Sequence, residues 1–141
     1  MSDDCVFCTI VDGEIPARTV HETDEVLAFL DANPLEPGHA LVIPKAHHGR
    51  LDDLPADLAA SVWAAVSDLG PRVEAAVGAD GLTVAVNDGA AAGQEGPHVH
   101  VHLVPRRQGD GGGPVHAAFP GQQDVPDEEL DEIAESIRER A

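Results

Sequence analysis

Hydrophobic and polar positions divide this chain into segments of two different periods. Glu25-Val26-Leu27-Ala28-Phe29-Leu30-Asp31 is a near-continuous apolar run ended by a carboxylate, the pattern of a mostly buried strand. Asn33-Pro34 and Pro37-Gly38 are turn dipeptides, and His39-Ala40-Leu41-Val42-Ile43-Pro44 follows as a second strand. Together they predict an antiparallel hairpin. Leu54, Leu58, Val62, Val66, Leu69, Val73 and Val77 then recur every three or four positions, which predicts one long amphipathic helix. Asp52 or Asp53 can cap it, Pro55 suits an early helical position, and Gly78 can close its end. Gly70-Pro71 falls inside the stripe and predicts a kink or break near Asp68-Leu69, because proline removes a helical donor. Trp63 falls between core-facing positions, at a subunit contact or partly exposed.

Gly81-Leu82-Thr83-Val84-Ala85-Val86-Asn87 reads as a third strand, and the small-residue loop Asp88 to Pro97 joins it to His98-Val99-His100-Val101-His102-Leu103-Val104. In that last run histidine alternates with aliphatic residues, so a strand would place all three imidazoles on one face. Beyond Pro105 come Arg106-Arg107, read as a solvated pair, and the flexible Gly109-Asp110-Gly111-Gly112-Gly113-Pro114. Pro126-Asp127-Glu128-Glu129 opens a terminal helix with Leu130, Ile133 and Ile137 on one face and Arg138 and Arg140 in its last turn. The sum is an α+β fold: an antiparallel sheet of about five strands, one main helix packed on it, and a C-terminal helix. It predicts a single domain over residues 1–141, with a core at 5–107 and an irregular segment from 108 onward.

Charge narrows the partners. A formal net charge of −18, with Lys45 the only lysine, leaves no clustered cations to meet a phosphate backbone, so no nucleic-acid partner is expected. The same acidity predicts adaptation to high salt, where screening relieves self-repulsion. Met1-Ser2-Asp3-Asp4 carries no signal-peptide pattern, and no apolar run approaches the roughly 18 residues that cross a bilayer. The expected location is cytoplasmic, with no membrane partner. There the pair Cys5-Val6-Phe7-Cys8 reads as metal-binding or redox rather than as a disulfide. Gly13 and Pro16 interrupt the helix a redox motif would need, which favours the metal.

Three imidazoles on one strand face are an expensive way to build a core; they point to an anion or a metal. A single ion held by all three is opposed by geometry. Strand residues four apart lie roughly 13 Å from each other, whereas zinc takes nitrogens at about 2 Å. Two adjacent rungs could still serve a zinc hydrolase. The other reading is nucleophilic attack on phosphorus: a neutral imidazole nitrogen forms a covalent intermediate, and flanking rings stabilise the phosphoryl oxygens. That site needs no lysine. The glycine-rich loop adds backbone N–H groups that an anion could use. Taken alone, His39 reads as a solvated or capping histidine at a strand start.

His98-Val99-His100-Val101-His102-Leu103-Val104 resembles the signature of the histidine triad (HIT) family, in which three histidines alternate with aliphatic residues. Cys5-x-x-Cys8, Gly13-Glu14-Ile15-Pro16, Leu27 to Asp31, Gly38 to Lys45, Asn87 and Gly93-Gln94 extend the resemblance over most of residues 5–107. The chain is similar to the Hint branch, the nucleotide phosphoramidases. The resemblance implies that His100 is the nucleophile, that His102 contacts the phosphate, and that His39 assists on the phosphate side. It implies that Asp31 binds the ribose hydroxyls and that Asn87, Gly93 and Gln94 wall the α-phosphate and leaving group. It further implies a structural zinc held by Cys5, Cys8, His47 and His98, with His48 as the rival to His47. No organic cofactor, a purine nucleotide substrate and a homodimer complete what it implies.

One position departs from the pattern. The family often places serine or threonine where this chain has Glu95. A carboxylate beside a phosphate repels it unless it turns outward or accepts a cationic leaving group such as an amine. The implied activity is hydrolysis of a purine nucleoside phosphoramidate such as AMP-lysine. Cleavage of a dinucleoside polyphosphate or an adenylyl sulfate is the neighbouring alternative. A nucleotide-binding adaptor with incidental catalysis, and the zinc hydrolase already named, belong to other classes.

Overall fold

The structure, a computed structural model, describes residues 5–140; the acidic start Met1 to Asp4 and Ala141 lie outside them. The chain divides into two compact units, the first ending at Asp110 and the second beginning at Gly111. The first unit holds α1 (Val6–Val11), β1 (Thr19–Glu22), β2 (Val26–Leu30), β3 (Ala40–Pro44), α2 (Ala56–Val77), β4 (Gly81–Ala85) and β5 (Val101–Arg106). Its strands form one sheet in the order β1-β2-β3-β5-β4, with every neighbouring pair antiparallel. The expected hairpin is β2 against β3, in register from Val26 opposite Pro44 to Leu30 opposite Ala40.

The near-continuous apolar runs are explained by a sheet covered on both sides. Val26, Ala28, Ala40, Val42, Val101 and Leu103 face α2 and pack with its Val62, Ala65, Val66, Leu69 and Val73. Leu27, Phe29, Leu41 and Ile43 face the other way, against Phe7, Ile10 and Val11 of α1. Burying each large aliphatic in these layers contributes about 1.5–3 kcal/mol, so a charge at Val62 or Leu103 would break the first of them. His102 stands opposite Leu41 across the β3–β5 ladder, so it lies on the α1 side of the sheet.

Four expectations change. Helix α2 runs without interruption through Pro71, with Gly78 closing it at φ 65°. Gly70 is buried, and a Cβ there would stand 3.2 Å from Leu82 Cδ1, so the glycine lets β4 approach the helix closely. Pro55 caps α2 rather than sitting inside it; Asp53 closes a preceding 3-10 turn by accepting from the Arg50 N–H. The histidine run is only partly strand. β5 begins at Val101, because Val99 donates its N–H to the His48 carbonyl, outside the ladder. The third strand likewise ends at Ala85, short of Asn87. One helix and one strand were not foreseen: the six-residue α1, which follows Cys5 and carries Cys8, and β1, a four-residue edge strand with a bulge near His21.

In the second unit, α3 (Asp127–Glu139) follows a 3-10 turn at Val115–Ala118. Asp127, Glu128 and Glu129 occupy its first turn and Arg138 its last, as the helix dipole favours. Leu130, Ile133 and Ile137 are exposed. No helix of the described residues is long and apolar enough to cross a membrane.

Candidate active site and metal centre

Two groups of side chains collect where α1 meets the sheet, and the histidine run contributes to both. The first is Cys5, Cys8, His47 and His98, whose donor atoms all lie within 4.8 Å of one another. Cys5 Sγ is 3.4 Å from His98 Nδ1, Cys8 Sγ is 3.2 Å from His47 Nδ1, and Cys8 Sγ is 3.6 Å from His98 Nδ1. Sulfur and nitrogen on a tetrahedral zinc stand about 3.5 Å apart, so these four donors are spaced as a metal would hold them. His98 is also turned for the purpose. Its Nε2–H donates to the Pro44 carbonyl at 2.8 Å, which leaves the Nδ1 lone pair toward the sulfurs. Burial pushes the His98 pKa down, favouring the neutral ring that a metal needs. His48, the rival ligand, lies outside this group, with its carbonyl bound to Val99.

The second group lines a cleft of about 430 Å³ between α1, the segment that follows it, and the sheet. Its polar lining includes Asp31, His100, His102, Glu95 and Arg18, and its apolar side is made by Phe7, Ile10, Ile15 and Phe29. His100 Nδ1 lies 2.8 Å from the His98 carbonyl oxygen, an acceptor only, so Nδ1 carries the proton and Nε2 keeps its lone pair. Phe7 packs beside the His100 ring with centroids 4.9 Å apart, and His102 meets it edge-on at 5.0 Å. His39 is 2% exposed, far from the solvated histidine its sequence position allows. Its Nε2 is 2.9 Å from His102 Nδ1 and 3.6 Å from Asp31 Oδ2. The His102 pKa is lowered from 6.5 to about 4, chiefly by burial and then by neighbouring His100 and His39, with Asp31 opposing. Burial lowers His39 as well, against Asp31. Burial thus favours the neutral form of both rings.

The remaining expected residues fall elsewhere. Asn87, Gly93 and Gln94 do not line the cleft. Gln94 instead fastens its own loop: Oε1 accepts from the Gly89 N–H at 2.7 Å, and Nε2 donates to the Gly49 and Gly96 carbonyls. The N–H groups of Ala92, Gly93 and Gln94 are likewise spent on carbonyls inside the loop, so they are not the open anion cradle that its glycines predict. Lys45 pairs with Glu22 at 2.7 Å. Arg106 pairs with Asp110 through two contacts of 2.8 and 3.0 Å, and Arg107 bonds the Val77 carbonyl. Arg18 and the apolar wall have no counterpart among the residues expected from sequence. Of these, Phe7 carries a signal by its place between two suspected ligands, and Ile15 and Phe29 lie within motifs that the resemblance covers.

Residues 12–109 match the HIT domain family. The chain belongs to that family. The match begins after Cys8, so neither cysteine lies within the matched residues. The chain is 41% identical over 110 residues to the adenylylsulfatase HINT3 of Arabidopsis thaliana, covering 78% of this chain and 56% of that protein. It is 39% identical over 119 residues to the adenosine 5'-monophosphoramidase HNT1 of Saccharomyces cerevisiae, covering 84% and 72%. Among solved structures, a zinc-bound histidine triad family protein of Mycobacterium smegmatis superposes with a TM-score of 0.74 at 35% identity, covering 98% of each chain.

Proposed function

We propose that this HIT protein is a nucleotide hydrolase that cleaves the phosphorus–nitrogen bond of purine nucleoside phosphoramidates, such as AMP-lysine, through a covalent nucleotidyl intermediate on His100. The observation that carries the reading is the state of His100: a ring fixed through Nδ1–H to a backbone carbonyl, with its Nε2 lone pair free beside a cleft. Nε2 attacks phosphorus and forms a P–N bond as the bond to the leaving amine breaks; that amine takes a proton from water. Nδ1 keeps its proton throughout, so the intermediate is cationic and open to attack by water, which releases the monophosphate and restores the neutral ring. His102 contributes a hydrogen bond to the phosphoryl oxygens, and His39 supports it from behind. Asp31 receives the ribose hydroxyls, and the base lies against Phe7, Ile10 and Phe29. Gln94 acts in this reading by holding the loop that carries Glu95 into the cleft.

Adenylyl sulfate is the second substrate in view, since the Arabidopsis relative bears that activity in its name and the same nucleophile would serve. In the metal centre, Cys5, Cys8, His47 and His98 would hold zinc as a closed set with no open position, supplying structure and no chemistry. A homodimer is supported by the open edge of β4 with Val84 exposed, and by Trp63, which is 42% exposed on α2. A cytoplasmic, reducing compartment suits two cysteines that form no disulfide with each other. Mass spectrometry of enzyme quenched during turnover of AMP-lysine tests the reading. The expected result is one AMP adduct on His100; binding of AMP with no adduct and no turnover would mean an adaptor instead.

A further inference from the structure

Asp31, His39 and His102 bring three donor atoms within 4.8 Å of one another, and two histidines with one carboxylate are a set that a divalent metal accepts. The spacing allows it. From His39 Nε2, His102 Nδ1 stands at 2.9 Å and Asp31 Oδ2 at 3.6 Å, on either side of the roughly 3.3 Å between donors on tetrahedral zinc. Protons decide between a metal site and something else.

The deciding contact comes from the turn between β2 and β3. The backbone N–H of Leu35 lies 3.1 Å from His39 Nδ1. An amide N–H only donates, so His39 Nδ1 presents a lone pair and carries no proton. The turn holds that amide in place: Asp31 N–H bonds the His39 carbonyl at 2.9 Å and His39 N–H bonds the Glu36 carbonyl at 3.0 Å. Gly38 makes the tight path with φ 97°, and a Cβ there would meet Val77 Cγ1 at 2.9 Å. A neutral ring unprotonated at Nδ1 has its proton on Nε2. Two acceptors face that proton, and His102 at 2.9 Å takes it over Asp31 at 3.6 Å. His102 Nδ1 is then an acceptor, and its own proton must sit on Nε2.

The geometry points to a fixed proton order: Leu35 N–H to His39 Nδ1, His39 Nε2–H to His102 Nδ1, and His102 Nε2–H as a neutral donor in the cleft. The amide of Leu35 and the ring of His39 are thus positioning groups, acting through His102. The same order closes the cluster to metals. With Nδ1 engaged by an N–H, His39 has no second lone pair to offer a cation at Nε2, so Asp31, His39 and His102 do not together form a metal site. The proton order does not depend on the phosphoramidase reading; only the use made of the His102 donor rests on it.

Nitrogen-15 spectroscopy of the histidine rings in the zinc-loaded full chain reads the order directly, without substrate. At pH 7 the expected state is His39 and His102 each unprotonated at Nδ1 and protonated at Nε2. Either ring protonated at Nδ1, or an equal mixture, would overturn the inference. His39→Gln can accept from Leu35 and donate to His102, so His102 keeps its tautomer. Once its carboxylate is ionised, at the alkaline end of the pH range, His39→Glu offers His102 only an acceptor, so the His102 proton should move to Nδ1 and kcat should fall about 100-fold, the cost of losing one such donor. An unmoved His102 tautomer in His39→Glu would count against the relay. Adding paramagnetic cobalt(II) to the zinc-loaded protein should leave the His39 and His102 resonances sharp; selective broadening there would show a metal site and refute the order. If AMP-lysine is not turned over while the tautomers are as stated, the functional reading fails and this inference stands.

Discussion

The two ends of the histidine run use the same side chain for opposite purposes. At the sulfur end, His98 spends Nε2–H on the Pro44 carbonyl and turns Nδ1 to Cys5 and Cys8. Two residues on, His100 spends Nδ1–H on the His98 carbonyl and keeps Nε2 free. His102, in the proton order proposed above, accepts at Nδ1 from the His39 ring, where His100 donates to a carbonyl. In the proposed roles, the nitrogen that each ring spends on its neighbour decides whether it serves as ligand, nucleophile or donor. Phe7 stands between the ends. It lies between the two cysteines in sequence and packs on both rings, 5.7 Å from His98 and 4.9 Å from His100. Gly96 makes room for it, since a Cβ there would stand 3.2 Å from Phe7 Cε2.

Separating the ends by mutation gives the largest effect. His100→Ala should lower turnover of AMP-lysine by about 10⁴-fold while zinc content and melting temperature hold. A loss of metal in that variant would show that the ends are not separate. The reciprocal change, Cys8→Ser, should lose the metal and about 3 kcal/mol of stability, a fall of roughly 10 °C in melting temperature. Its folded fraction should still form the AMP adduct, with kcat lowered about tenfold because Phe7 loses its seat. An unaffected kcat would mean that Phe7 does not transmit between the two sites.

A smaller effect appears with pH. His102 titrates near 6.5 in the unfolded chain and about 4 in the folded one, so between those values the unfolded state binds more protons. Its contribution is present above pH 6.5 and lost as pH falls toward 4. His102→Gln should flatten that part of the stability curve. Melting temperatures that fall equally in both proteins would remove His102 as the cause.

Glu95→Ser should reduce kcat/KM for AMP-lysine relative to a neutral-amine phosphoramidate, by about tenfold at most for one exposed charge at the cleft rim. An unchanged ratio would mean that Glu95 does not read the leaving group. Last, molar KCl should raise the melting temperature by a few degrees if the net charge of −18 opposes folding in dilute buffer. No stabilisation by salt would end the halophilic reading.

What the linear sequence determined was periodic. Alternation and continuous apolar runs located β2, β3, β4 and most of β5, and the stripe of three- and four-residue spacings located α2, because those patterns follow from burial of one face or two. The family likeness then supplied His39 as a site residue, against its bland local context, and proposed the four donors that the structure brings within 4.8 Å. What only tertiary structure decided was partnership. The short β1 and α1 carry too few periodic positions to stand alone and exist by pairing with β2 and packing on the sheet. Pro71 stays helical because α2 is held against the sheet on both sides of it, and Gly70 is there for Leu82 rather than for a break. Gln94 was read as facing a phosphate, yet three backbone groups claim its amide. The tautomers of His39, His98, His100 and His102 depend on carbonyls and an amide that fold in from other segments. Composition and spacing carry no record of those contacts, and they are what give identical side chains different chemistry.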